Sequence, residues 1–381
     1  MNIKFKNYQF KLFILTLAIP ISFGAQAGNV GSTFTDGNTL NAAEMTEIKD
    51  AVNDNDTRAI ANEGDIFSNT AAISSLFGGD GSAGDLTVTV PLDWNATPPS
   101  NPNFANITIN AGQTLTVPAG TTIRCSGSFN NLGTIEVLSG AGNAESGSIS
   151  SGVAATQCLA GVAHPGDSFG PASAGQCNSD MTAFARNLNG ANGGDAIPQS
   201  VAITSFNSFR IGGGAGAGWG QGGQGGGLLK VYCNGDITSN GVINAQGQNG
   251  STQTGGGGGG IVILASTTSV SNTGDINVNG GDGSSSSPYG GAPGGGGGGI
   301  LLFVAPSITV TGTIDLSPGA SVTPLVAPLT GSARGGGGGG ASGGSGGSGG
   351  RVSTTGVRFI GNSGTNGYSI QIPANAAVMM N

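Results

Sequence analysis

The sequence predicts a mainly β protein: a parallel β-solenoid with packed polyglycine segments, preceded by a short N-terminal coiled-coil helix. Self-similarity is the first observation behind this expectation. NLGTIEVLSGAG (131–142), SNGVINAQGQNG (239–250), NTGDINVNGGDG (272–283) and VTGTIDLSPGAS (310–321) align without gaps. In each, glycine and one further residue precede Ile, a polar residue, a small or branched apolar residue and a turn. The second observation is an upstream strand: TTIRC (121–125), LLKVY (228–232), IVILA (261–265) and ILLFV (300–304). These strands start 14 or 15 residues before the aligned Ile135, Ile243, Ile276 and Ile314. The third is a glycine block in front of the last three strands, at 212–227, 255–260 and 294–299, with a further block at 335–350 before RVSTTGVRFIG. A unit recurring every 33 to 41 residues or so, built on short β-rich strands, describes stacked coils that bury their apolar faces only against their neighbours.

Taken in chain order, the first element is a leader, 1–27. Lys4, Lys6 and Lys11 precede the apolar run Leu12 to Phe23, and Ala25-Gln26-Ala27 provides small residues for cleavage, the pattern of a secretory signal peptide. The apolar run is short for a membrane span, and no later segment is long and apolar enough to serve as one. Residues 28–77 follow as a helix, with Asn41 as a candidate cap and Glu44 three residues on. Placing Met45, Val52, Ala59, Ile66 and Ile73 at heptad position a puts Ile48, Asn55, Asn62, Asn69 and Leu76 at d. A buried amide on such a seam fixes register and oligomer state at some cost in stability. Around a three-fold axis, three amides face one another and can share a water or an anion. Gly64, Ile60 and Phe67 depart from a clean seam.

With Ile66-Phe67-Ser68-Asn69-Thr70 placing Asn at d, this segment resembles the stalks of trimeric autotransporter adhesins and the coiled coils of phage tail fibres. The likeness implies a homotrimer joined through Val52, Asn55, Asn62, Ile66, Asn69, Ile73 and Leu76. Residues 78–139 open the solenoid with Gly79-Asp80-Gly81, Ile107-Thr108-Ile109, Leu115-Thr116-Val117 and Asn131-Leu132-Gly133-Thr134-Ile135. They are similar to the start of Gly-rich β-solenoids in bacterial surface fibres and phage tail proteins. Residues 140–210 form a Cys-containing inserted loop, and 211–381 carry the Gly-rich repeats. In the repeats Ile276 and Val278 should point inward and Asn277 outward. The glycine blocks suit polyproline-II-like helices of three residues per turn, which pack closely for want of side chains.

The cysteines test the stacking. Cys125 lies ten residues before Ile135 and Cys233 ten before Ile243, so both occupy one register of the unit. Equivalent positions in adjacent coils sit about 4.8 Å apart, within reach of a disulfide. The expected pairs are Cys125 with Cys233 across coils and Cys158 with Cys177 within the loop, as suits an exported chain. No CxxC occurs, so a zinc site is disfavoured and no metal or cofactor is expected.

Charge and chemistry narrow the function. Of 12 Lys and Arg, three fall in the leader, while all 20 acids follow it, giving residues 28–381 a charge near -11. No basic cluster is present for nucleic acid. His164, in AHPGDSFG, is the single histidine, a poor basis for a catalytic triad. The outward column Glu136, Asn244, Asn277 and Asp315 places its two acids three coil steps apart, about 14 Å. Glycosidase carboxylates stand about 5 to 9.5 Å apart, so the column reads as structural. Trp94 and Phe303 read as packing residues, while Trp219 and Tyr289 stand in Gly-rich stretches as a candidate ligand surface, for instance toward a glycan. The expected function is that of a secreted, non-enzymatic structural or adhesive fibre protein at the cell surface. Its partners would be copies of itself, as trimer or filament, and a glycan or host-surface receptor. The competing readings are a polysaccharide-binding or polysaccharide-cleaving solenoid and a self-polymerising filament subunit.

Overall fold

The computed structural model describes residues 42–140, 192–209, 212–216, 222–251, 254–284, 292–322, 339–350 and 359–379. The chain forms two compact units, Met1–Thr70 and Ala71–Asn381. The described part of the first is helix, belonging to α1 (Ala42–Gly78), whose last residues lie in the second unit.

The second unit is a solenoid-like parallel β fold of six coils, each giving three short strands. The first coil holds β1 (Leu86–Val88), β2 (Leu92–Asp93) and β3 (Asn103–Phe104); the second holds β4 (Ile107–Ile109), β5 (Thr114–Val117) and β6 (Thr121–Cys125). The third holds β7 (Phe129–Asn131), β8 (Thr134–Val137) and β9 (Leu228–Cys233); the fourth holds β10 (Ile237–Ser239), β11 (Val242–Asn244) and β12 (Ile261–Ser266). The fifth holds β13 (Ser269–Asn272), β14 (Asp275–Asn277) and β15 (Ile300–Val304); the sixth holds β16 (Ser307–Val310), β17 (Ile314–Asp315) and β18 (Tyr368–Ile372). Corresponding strands stack into three parallel six-stranded sheets, β1-β4-β7-β10-β13-β16, β2-β5-β8-β11-β14-β17 and β3-β6-β9-β12-β15-β18.

The repeat fixes this register. Ile135, Ile243, Ile276 and Ile314 pair rung upon rung in the second sheet. The upstream strands β6, β9, β12 and β15 do the same in the third. Inward residues alternate with outward ones, so Ile276 and Val278 are fully buried and Asn277 is half-buried. The repeated glycine has a reason as well. Gly133, Gly241, Gly274 and Gly312 form a column at the corner between the first and second sheets, where a Cβ on one would overlap the carbonyl of the glycine a coil below. Only glycine lets coils approach to strand spacing there.

Every long insertion leaves from one corner, between the second and third strands of a coil: 138–227, 245–260, 278–299 and 316–367. The middle of the third sheet is therefore buried on both faces, with β9, β12 and β15 buried throughout. Its inner face joins the solenoid core with Val231, Leu264 and Phe303. Its outer face, with Tyr232, Ile263 and Leu302, packs under Phe77, under Ala202 of α2 (Gln199–Ser205) and Phe206 of the 3-10 turn after it, and under α3 (Ala376–Met379). The Phe77 and Tyr232 rings lie 5.4 Å apart, and the Arg124 guanidinium sits 5.5 Å from the Tyr232 ring centre. Lys230 reaches the carbonyl of Asn207 at 2.8 Å.

The glycine segments form a layer of their own. Gly213 and Gly216 donate to Gly226 and Gly223, which donate in turn to Gly258 and Gly255. Gly256 and Gly259 donate to Gly294 and Gly297, and Gly257 and Gly260 to Gln248 and Ala245. The bonds recur every third residue, the period of a three-residue-per-turn helix. Successive residues of 255–260 thus face different neighbours. This segment donates to 294–297, 245–248 and Gly214 and accepts from 223–226, Gly281 and Gly340, so it is surrounded by six segments. A side chain at most of these positions would overlap a neighbouring backbone carbonyl, which is why the runs are glycine.

Candidate binding surface

The outward column of the second sheet is a hydrogen-bonded ladder. Asn244 donates to Glu136 at 3.0 Å, and Asn277 donates to Asn244 at 2.8 Å. Amides suit this position because each offers a donor to the rung below and an acceptor to the rung above. The ladder continues into the glycine layer: Asn249 accepts from the Asp282 amide and Asp282 from the Ala320 amide, both at 2.7 Å. A second ladder borders the first sheet, where Asp85 accepts from Asn106 and Asn106 accepts from Ser128. Farther along, Asp236 accepts from Ser269 at 2.6 Å and Thr268 at 2.7 Å. Those two hydroxyls hold the Asp236 carboxyl below the usual carboxylate range, as Ser82 does for Asp80.

Beside the Glu136 ladder lies an open groove between coils three and four. Glu136, Gln224, Gln246, Gln248 and Asn249 line it with amides and one carboxylate, together with Val137 and Leu138. Sequence reading missed this groove. Its one available signal was the offset of 33 residues that relates Asn249 to Asp282.

The buried titratable groups serve packing. Desolvation raises the Tyr232 hydroxyl well above its usual range, with Arg124 opposing in part, and burial likewise raises Tyr368. Tyr368 donates to the Ile197 carbonyl at 2.9 Å, which ties the sixth coil to the segment before α2. Among the described residues, no group of three or more His, Cys, Asp or Glu side chains is placed to hold a metal.

Cys125 and Cys233 form a disulfide between adjacent coils, with Cα atoms 4.6 Å apart, in the register the repeat requires. Cys158, Cys177 and His164 lie outside the described residues, as do Trp219 and Tyr289. On the helix, Met45 and Val52 are exposed, and so are Asn55 and Asn62. The side chains of Ile66, Asn69, Ile73 and Leu76 fall outside the described set. Trp94 and Phe303 are buried, the former stacked on Phe104 with ring centres 6.0 Å apart. Among the described residues, no helix is long and apolar enough to cross a membrane.

The residues flanking five connections meet at one end of the glycine layer. Gly216 donates to Gly223 and Gly223 to Gly255, next to the bridge between Thr254 and Ser284. Gly256 donates to Gly294, Val322 to Pro293 and Gly350 to Ala292. Described residues that flank 217–221, 252–253, 285–291, 323–338 and 351–358 thus lie in a single neighbourhood, while those segments themselves fall outside the described residues. Comparison with protein-family models, with curated proteins and with solved structures gave no match.

Proposed function

We propose that the protein is an exported, non-enzymatic fibre or adhesin. In this reading three copies join through the helix, and the far end of the glycine layer is the contact surface. The observation that carries it is that described residues flanking five connections meet at one end of a body held together by main-chain bonds. The described body is a pre-ordered scaffold, and binding residues carried on loops over a rigid scaffold are a common arrangement. In the sequence Trp219 and Tyr289 fall within two of these connections, 217–221 and 285–291, and an aromatic ring is the usual partner of a sugar face.

The helix supports the oligomer. An isolated helix draws little stability from its own propensity, and an exposed row such as Met45 and Val52 gains stability when copies of the chain cover it. The test is an array of immobilised glycans probed with the mature chain, with Trp219→Ala and with Tyr289→Ala. Binding that both substitutions abolish, with the unfolding midpoint unchanged, is expected. Binding that survives both, or release of reducing sugar from the array, overturns the reading. For the trimer, light scattering should give three chains per particle, and one after removal of 42–70, which leaves Phe77 in place.

A further inference from the structure

Coils one and six end the three sheets, and among the described residues no strand pairs with their outer edges. At coil one Val88, Trp94 and Phe104 are nonetheless buried, so the apolar surface left there is that of Leu86 and Leu92. The partly buried apolar residues packed against the inner core all come from these coils: Ala83, Leu86 and Leu92 at one end, Ile308, Val310, Ile314 and Leu316 at the other. One coil inward, Ile107, Leu115, Val270 and Ile276 are 0–1% exposed. β16, β17 and β18 hold SITV, ID and YSIQI, with neither Lys nor Pro to block an incoming strand.

We propose that the sixth coil accepts the first coil of a second copy, so that all three sheets continue head to tail from one molecule into the next. Register favours this arrangement over a symmetric one. Leu86, Ile107, Phe129, Ile237, Val270 and Ile308 form one continuous inward column, and Leu92 and Ile314 end another. Translation along the stack sets Leu86 on Ile308 and Leu92 on Ile314 while keeping each sheet on its own kind. A two-fold axis would preserve at most one sheet. The contact is heterologous and open, so it builds chains of molecules.

Two features keep it weak. Ser369 and Gln371 occupy inward positions of β18, in register with Leu301 and Phe303, so the third wall is polar at the joint. Asp315 and Asp93 end the same outward column, so stacking sets carboxylate on carboxylate, a destabilising cross-strand pair. Asp315→Asn would instead extend the amide ladder across the joint.

The inference rests on the parallel stack and is independent of the adhesive reading. The size of the smallest species at low concentration reports on the helix. Growth of mass with concentration reports on the joint. Sedimentation of the full mature chain should show average mass rising about two-fold or more over a ~100-fold concentration increase. Asp315→Asn should raise assembly at a given concentration, reversibly on dilution and with circular dichroism unchanged, which separates it from aggregation of misfolded chains. Val310→Lys with Ile314→Lys blocks one end and Leu92→Lys the other, so each should stop growth at the smallest species. Mixed, the two blocked proteins should associate and gain mass that neither gains alone. Mass that does not grow with concentration for either the wild type or Asp315→Asn overturns the proposal, as does a mixture that gains no mass while circular dichroism shows both partners folded.

Discussion

Gly296 shows how much of this fold depends on the absence of an atom. A Cβ there would overlap the carbonyl oxygen and carbon of Gly257 on the neighbouring segment, and both are main-chain atoms with no rotamer to yield. Gly296→Ala should therefore cost about 3 kcal/mol or more, the upper end of overpacking penalties, measured by denaturant unfolding. Gly84 is the matched control. Its φ is +74° but nothing lies within 4 Å of a Cβ, so Gly84→Ala should cost only the left-handed penalty of about 1–2 kcal/mol. Asp236 offers a second test, through pH. Because Ser269 and Thr268 depress its pKa from 3.8, its stabilisation is present above that value and is lost as pH falls through the lower, folded-state pKa. Asp236→Ala should therefore lower the unfolding midpoint at neutral pH, and the difference from wild type should shrink as the pH falls below 3.8.

The disulfide is the corresponding device at the scale of elements. β6 and β9 are neighbours in space but 108 residues apart in sequence, because the longest insertion leaves after β8. Their pairing closes the largest loop in the stack, and the cross-link removes that loop's freedom from the unfolded chain. Replacing Cys125 and Cys233 together with Ala should cost about 4–5 kcal/mol, read from denaturant midpoints without reductant. This pairing was legible in the sequence because both cysteines stand at one distance from an aligned Ile. The same alignment revealed the three later strands of the third sheet that follow glycine blocks. It did not reveal coils one and two as full repeats. β2 and β3 are two residues long, and no glycine block separates their coils, so the chain offers only alternation there. The inward Asn131, Ser239 and Asn272 were invisible for a different reason. They are buried polar residues in register, and a period-two reading expects apolar side chains at such positions. The groove beside Glu136 depends on how the insertion corner is filled, which no local pattern encodes.

A simple solenoid couples each repeat only to its neighbours, so its ends can fray while its middle persists. The glycine layer breaks that rule here. Gly340, which belongs to the insertion of the sixth coil, donates to Gly256 of the fourth and accepts from Gly297 of the fifth. Ala341 accepts from Gly214 in the insertion of the third, and Gly258 of the fourth coil donates to that same Gly214. Gly194, returning from the longest insertion, donates to Gly339 and accepts from Gly346. Four coils are thus tied together through bonds that skip along the stack, and opening the sixth would expose main-chain groups of the third and fourth. Buried amides without partners are costly, so partial opening at the C-terminal end should be suppressed in favour of global unfolding. Native-state hydrogen exchange measures this directly. Amides of Gly214, Gly258 and Gly340 should exchange with the same free energy as Ile243 in the central coil, and a chain ending at residue 322 should lose protection at Gly258 as well as in its own last coil. If Gly340 exchanges well before Ile243, the layer is an ornament on the stack, and its glycines answer to close packing alone.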